Sequence, residues 1–171
     1  KSFWEPVKKG ILFSLSLQGI NGAIAWNVDE SSKIDEDYLL TGCSSIAKSI
    51  ECAIAICQVL GHQNYEEEWK IAHSKLLATL ENPLEIFDLK KDRSRFSMDW
   101  YYPILGGINS KNRITSLTTK IKESFWVKDI GIKCVSDEPW VTVAETSECS
   151  IAFKKIGEDK IASELLQNAI S

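Results

Sequence analysis

The sequence predicts an all-α protein built from antiparallel helical hairpins, and three observations lead there. Apolar residues recur at helical spacing along nearly all of the 171 residues. Glycine or proline stands where most of the apolar stripes should stop. One helical segment, with the glycine and helix that follow it, is repeated within the chain. Strands are expected to be scarce.

Trp4, Val7, Ile11 and Leu15 carry the first helix, which ends near Gln18 in the turn residues Gly19, Asn21 and Gly22. Ile46, Ile50, Ile54, Cys57 and Leu60 carry the second, stopped by Gly61. Trp69, Ala72, Leu76 and Leu80 carry the third, with Glu66-Glu67-Glu68 as its solvated first turn. Asn82-Pro83 ends it, since proline lacks a backbone donor and biases the residue before it away from helix. A fourth, weaker segment spans about 96–108, with Pro103 expected in a first turn. The fifth covers about 113–125, the sixth about 141–156, and the seventh begins after Gly157.

The repeat organises these helices. Glu51-Cys52-Ala53-Ile54-Ala55-Ile56, followed by Gly61, is nearly copied in Glu148-Cys149-Ser150-Ile151-Ala152-Phe153, followed by Gly157. A further helix starts just past the glycine in both. A helical hairpin buries its apolar faces only against neighbouring hairpins, so the expected architecture is an array. The reading is one incomplete domain, 1–171, with hairpins at 3–60, 64–109 and 111–157 and part of another at 158–171. Chance likeness between two Ala/Ile-rich helices is the alternative.

Composition bounds the function. With 20 basic and 24 acidic residues the net charge is -4, and 44% of residues are hydrophobic, so disorder is excluded. The absence of a Lys/Arg run argues against nucleic acid or an anionic membrane as partner. Cys43, Cys52, Cys57, Cys134 and Cys149 form no CxxC pair, and His62 and His73 supply no zinc spacing. No metal or other cofactor is expected, and reduced thiols point to a cytoplasmic protein. No segment approaches the roughly 18–20 uninterrupted apolar residues of a membrane helix, and Lys1 to Gly10 lack a secretory pattern. The chain begins with Lys rather than Met, which leaves its true amino terminus open.

Phe3-Trp4 through Leu15-Ser16-Leu17-Gln18, then Gly22-Ala23-Ile24-Ala25-Trp26, resembles the helix, Leu-x-x-Gln, turn and Gly-x-x-x-Trp pattern of prenyltransferase and squalene-cyclase repeats. Longer stretches resemble bacterial prenyltransferase-like proteins of the α/α-toroid group, which also includes six-hairpin glycosidases. These are Leu39-Leu40-Thr41-Gly42-Cys43-Ser44-Ser45-Ile46, the run from Ser94 to Gly107, and the run from Cys134 to Thr142. The resemblance implies that the hairpins form part of an α/α toroid, the chain being the amino-terminal part of a longer protein. It implies little about the reaction, because this architecture hosts several chemistries.

In such a ring the inner helices and the loops before them line the cavity. Two clusters fall there. The first is Arg95, Asp99, Trp100, Tyr101 and Tyr102; the second is Asp137, Glu138, Trp140, Thr142, Glu145 and Glu148. Aromatic faces stack on sugar rings while carboxylates accept from sugar hydroxyls, and paired carboxylates are the minimum apparatus of glycoside hydrolysis. The expected catalytic pair is Asp99 and Glu145, with Asp137 as substitute, and Arg95, Trp100, Tyr101, Tyr102 and Trp140 as substrate contacts.

Each has a plainer reading. Asp137-Glu138-Pro139 also suits a helix start, where the dipole favours acids. Trp100, Tyr101 and Tyr102 also suit a core, and Trp26 and Trp126 suit packing between hairpins. Glu51 and Glu148, at matching places in the repeat, suit a repeated structural hydrogen bond. Two further functions stay open. An isoprenoid transferase or cyclase follows from the resemblance, although Asp35-Glu36-Asp37 is the nearest approach to a cyclase acid run. A non-catalytic binding module follows from the helical array, and exposed hairpin faces would then favour a homodimer or association with a missing carboxy-terminal part.

Overall fold

Helical periodicity becomes seven helices and two short strand pairs among the residues described by the computed structural model of the protein, 3–35, 37–83 and 85–170. The chain divides into two compact units, Lys1–Lys90 and Lys91–Ser171, where the sequence reads as one domain. Glu36, within the Asp35-Glu36-Asp37 run, and Ser171, at the end of the last hairpin segment, lie outside the described residues.

The first unit holds α1 (Trp4–Ser16), a β1–β2 hairpin (Asn27–Val28 with Ile34–Asp35), α2 (Leu40–Leu60) and α3 (Gln63–Glu81). On α2 the buried residues Cys43, Ala47, Ile50, Ala53 and Cys57 fall three or four apart, giving one apolar face. On α3 Trp69, Ala72, Leu76 and Leu80 do the same. Trp69, Leu76 and Leu80 are fully buried, and each such side chain stabilises the fold by about 1.5–3 kcal/mol.

The reversal between α2 and α3 is made by Gly61, whose φ of 75° is left-handed. The next residue, His62, donates its N–H to the Cys57 carbonyl at 2.9 Å, which closes a Schellman turn. The turn after α1 is anchored onto α3. Gln18 Nε2 donates to the carbonyls of Gly22 and Ala72, both at 2.9 Å, which gives the Gln of the Leu-x-x-Gln pattern its physical role.

α2 departs from expectation in one respect. It has 21 residues, with a mean hydropathy of 1.4 over an 18-residue stretch, and is long and apolar enough to cross a membrane. An uninterrupted apolar run missed this, because Lys48 and Glu51 break the run yet pair with each other at 2.6 Å on one side of the helix. In the structure the opposite face forms the core of the unit.

The second unit holds α4 (Met98–Gly106), α5 (Lys111–Ser124), β3–β4 (Trp126–Val127 with Gly131–Ile132), α6 (Val143–Lys155) and α7 (Asp159–Ile170). From α5 onward it repeats the plan of the first unit: helix, turn, helix, left-handed glycine, helix. Gly157 has φ 83°, and Glu158 donates to the Phe153 carbonyl at 3.0 Å, as His62 does to Cys57. The tight reversals therefore fall at Gly61 and Gly157, inside the pairs α2/α3 and α6/α7. Hairpin divisions at 60/64 and 157/158 cut both pairs. A second equivalence lies at the start of the inner helices. The Ile24 N–H donates to Cys43 Sγ at 3.3 Å and the Ile132 N–H donates to Thr146 Oγ1 at 2.9 Å, so a first-turn side chain receives the preceding turn in each unit.

Aligning the two glycines corrects the register of the repeat. Ala53 then matches Cys149, Cys57 matches Phe153 and Trp69 matches Leu165, all buried. Glu51 now falls opposite Ser147 and Glu148 opposite Cys52, so the two glutamates do not occupy equivalent places in the repeat. Three further expectations change. Pro103 lies beyond the first turn of α4, where, having no N–H, it cannot donate the usual helical bond to the Asp99 carbonyl. Trp26 is 63% exposed, whereas Trp126 packs its ring 6.1 Å from that of Phe153. Asp137-Glu138-Pro139 is no helix start, because α6 begins at Val143 with Thr142 as its cap.

Candidate functional site

The segment before α4 and the segment before α6 are laced together by main-chain hydrogen bonds. Phe96 and Val135 form an antiparallel bridge. The Ser97 N–H donates to Cys134 O at 3.0 Å and the Ser136 N–H donates to Arg95 O at 2.9 Å. The Cys134 N–H in turn donates to Trp140 O at 2.9 Å. Isolated short segments have no helix or sheet to satisfy their backbone groups, so they satisfy one another. The result is that two clusters separated by some forty residues in the sequence occupy one place in the second unit.

At its outer end Arg95 Nη2 and Nε both donate to Asp137 Oδ1, at 2.8 and 3.1 Å. Both side chains are about half exposed, so the pair orients more than it stabilises. The Arg95 guanidinium holds the Asp137 carboxyl below the usual carboxylate range. Asp137 thus owes its position to Arg95 and not to a helix dipole. The guanidinium carbons of Arg93 and Arg95 lie 4.9 and 5.5 Å from the ring centre of Phe96, a cation–π arrangement that keeps two arginines beside two aspartates.

Asp99 is placed differently from Asp137. It is 6% exposed, with Oδ2 3.6 Å from Arg93 Nε. Trp100 donates its indole N–H to Ser94 O at 2.9 Å, and the Lys120 ammonium lies 5.6 Å from its ring centre. Trp140 is 58% exposed, an orientation suited to a ligand platform rather than to a core.

The inner end is a carboxylate held by two phenols. Tyr101 Oη donates to Glu148 Oε2 at 2.8 Å and Tyr102 Oη donates to Glu148 Oε1 at 3.3 Å, with the two rings 5.4 Å apart. Tyr101 is fully buried and Tyr102 half-buried. Burial first, and then the hydrogen bond and charge of Glu148, push the Tyr101 phenol far above its ordinary range. For Tyr102 burial again leads, followed by the Glu148 charge. Glu145 stands one turn earlier on α6 and its charge acts on the same two phenols. Thr142-x-x-Glu145 has the letters of a capping box, and Thr142 Oγ1 accepts from the Glu145 N–H at 3.3 Å. The Thr142 N–H, which a box would give to the Glu145 carboxylate, donates to Ile132 O at 3.3 Å.

The structure therefore joins Arg95 to Asp137, and Tyr101 and Tyr102 to Glu148 of α6, while Asp99 is buried beside Arg93. Sequence reasoning passed over Arg93 and Phe96, and assigned Glu148 to a repeated structural contact. The signal for Glu148 was its i, i+3 spacing from Glu145, which the likeness to Glu51 obscured. Among the described residues no group of three or more His, Cys, Asp or Glu side chains converges as a metal-ligand set.

No family model matches the chain. Among curated proteins it is similar to the MMP endo-(1,4)-3-O-methyl-alpha-D-mannosidase of Mycolicibacterium hassiacum, with 38% identity over 158 residues. That alignment takes in 92% of this chain and 42% of the relative, so the chain spans less than half the length of the curated protein it matches.

Proposed function

We propose that this chain is part of a glycoside hydrolase acting on α-linked mannosyl saccharides, O-methylated ones among them. The similarity over 92% of the chain to a mannosidase carries this reading, and the composition of the site supports it. A half-exposed carboxylate oriented by a guanidinium, a second acid on α6 and the exposed Trp140 indole are what a neutral sugar requires: acceptors for its hydroxyls and a flat face for its ring. Both arginines stand beside aspartates, so the surface offers no net positive charge for which an anionic saccharide would be needed. The α/α-toroid arrangement belongs to the same proposal, supported by the repeated helix–glycine–helix plan.

The expected pair of Asp99 and Glu145 gives way to Asp137 and Glu145 as the proposed catalytic carboxylates, because Asp99 is nearly enclosed beside Arg93 and serves as a positioning residue. Asp137 and Glu145 reach solvent and can meet water and a glycosidic oxygen. Asp99, nearly enclosed, contributes through Arg93 and the main-chain ladder at the start of α4. Arg95, Trp100, Tyr102 and Trp140 are the proposed substrate contacts; Tyr101, expected among them, is fully enclosed and holds Glu148 instead.

The test is hydrolysis of α-1,4-linked mannose and 3-O-methylmannose oligosaccharides by the full-length protein, with products resolved by mass. Loss of a proton-transfer or nucleophilic carboxylate lowers kcat by about 10²-fold or more. Asp137→Asn and Glu145→Gln should each show that loss while leaving the circular dichroism spectrum intact. Full activity in both variants would remove them from the chemistry, and no hydrolysis by the unaltered protein would defeat the reading itself.

A further inference from the structure

An ionised carboxylate is an acceptor only, and a phenol has one proton to give. In the Glu148 cluster both phenol protons are therefore spent: that of Tyr101 on Oε2 and that of Tyr102 on Oε1. Tyr101 is fully enclosed, but Tyr102 is half-buried, and its oxygen keeps lone pairs that can accept but no hydrogen that can donate. Glu145, at i, i+3 to Glu148 on the same face of α6, adds a second acceptor-only group.

We propose that Glu148 is a positioning residue that locks the Tyr102 phenol as a hydrogen-bond acceptor, so that this phenol, together with the Glu145 carboxylate one turn earlier on α6, recognises a free hydroxyl of the saccharide and rejects its methyl ether. The inference rests on the glycosidase reading above and adds a specificity to it. A saccharide carrying both hydroxyls and O-methyl groups presents donors at some positions and none at others. A surface able only to accept reads that difference, because a methyl ether brought against it displaces water, supplies no hydrogen and leaves those acceptors unpaired. Burial and the Glu148 charge resist ionisation of both phenols, so the arrangement of donors persists over the physiological pH range.

The experiment uses the full-length protein and the four mono-O-methyl ethers of methyl α-mannopyranoside, at the 2-, 3-, 4- and 6-positions, with the parent glycoside. Binding is measured by calorimetry for the unaltered protein, Tyr102→Phe and Glu148→Gln. One lost hydrogen bond corresponds to about a tenfold change in Kd. The expected result is that one of the four ethers binds the unaltered protein about tenfold more weakly than the parent, and that this penalty vanishes in Tyr102→Phe. Glu148→Gln should also lessen it, because the amide accepts from only one phenol and donates to the other, so the Tyr102 proton is no longer held in every molecule. A merely structural role for Glu148 would weaken all five ligands alike. Hydrolysis and binding by the unaltered protein with no ether-specific coupling to Tyr102 would overturn the inference and leave the glycosidase reading standing. A protein that neither binds nor cleaves any mannoside would overturn both.

Discussion

Cysteine burial separates five chemically identical groups by environment. Cys43, Cys57 and Cys149 are buried and Cys52 is exposed, and burial pushes the Cys43 thiol up to about 11. Because thiolate is the reacting form, Cys52 is expected to label rapidly with a disulfide reagent at pH 8, and the three buried thiols only after denaturation. Mass spectrometry of the labelled protein checks this; rapid modification of Cys149 would contradict the placement of α6. The phenols give a pH prediction of definite sign. Their folded-state values lie above the ordinary value near 10. Their contribution to stability is thus complete below about pH 10 and is lost as pH rises past it, where the unfolded chain ionises first. Urea unfolding followed from pH 8 to 11 should show stability falling above pH 10, less steeply in Glu148→Gln. Arg95 has the opposite profile, since its pair with Asp137 is exposed. Arg95→Ala should leave the melting temperature almost unchanged while lowering saccharide hydrolysis about tenfold, through a carboxylate no longer held in place.

At the scale of elements, two glycines test why the helical turns need the residues they have. Gly22 has φ 86°, and a Cβ there would lie 2.6 Å from Thr79 Oγ1 and 2.7 Å from the Lys75 carbonyl oxygen. Gly61 has φ 75°, but a methyl group added there would meet nothing within 4 Å. Gly61→Ala should therefore lose about 1–2 kcal/mol, the backbone term alone. Gly22→Ala should lose more than Gly61→Ala, since α3 or the turn must move as well. Equal losses in denaturant unfolding would mean that the Gln18–Gly22 turn does not seat on α3 as described. Within the α2/α3 pair, Trp69→Ala should cost about 3–5 kcal/mol, because Trp69 is fully enclosed. Much of this was legible beforehand. The stripes of α2 and α3 and their stop at Gly61 follow from spacing alone, since local geometry puts every third or fourth residue on one face. The start of α6 was not, because the letters Asp137-Glu138-Pro139 suit a cap as well as Thr142 does, and only the ladder between residues 95–97 and 134–136 leaves them in a turn instead.

For the whole molecule, the division into Lys1–Lys90 and Lys91–Ser171 predicts where a protease acts first. Lys90 and Lys91 are exposed and lie outside helices, so limited trypsin digestion should first cut there and yield two fragments that resist further cleavage. Early cleavage inside α2 or α6 would argue against the two units. Activity belongs to this scale too, and its assay calls for the full-length protein, given that the mannosidase relative is more than twice as long as the matched region.

By itself the sequence determined the all-α class, the stripes and stopping points of most helices, the repeated helix–glycine–helix plan and the two stretches from which a site could be drawn. These are properties of neighbours within one or two turns, where spacing and backbone chemistry decide the outcome. Only the tertiary structure decided the register of the repeat, which follows the left-handed turns at Gly61 and Gly157 and not the matching letters. It alone paired Arg95 with Asp137, enclosed Asp99 beside Arg93, and gave Glu148 to Tyr101 and Tyr102. The pairings of Arg95 and of Glu148 join residues some forty positions or more apart, and they arise from main-chain groups before α4 and α6 that have no other way to satisfy their hydrogen bonds.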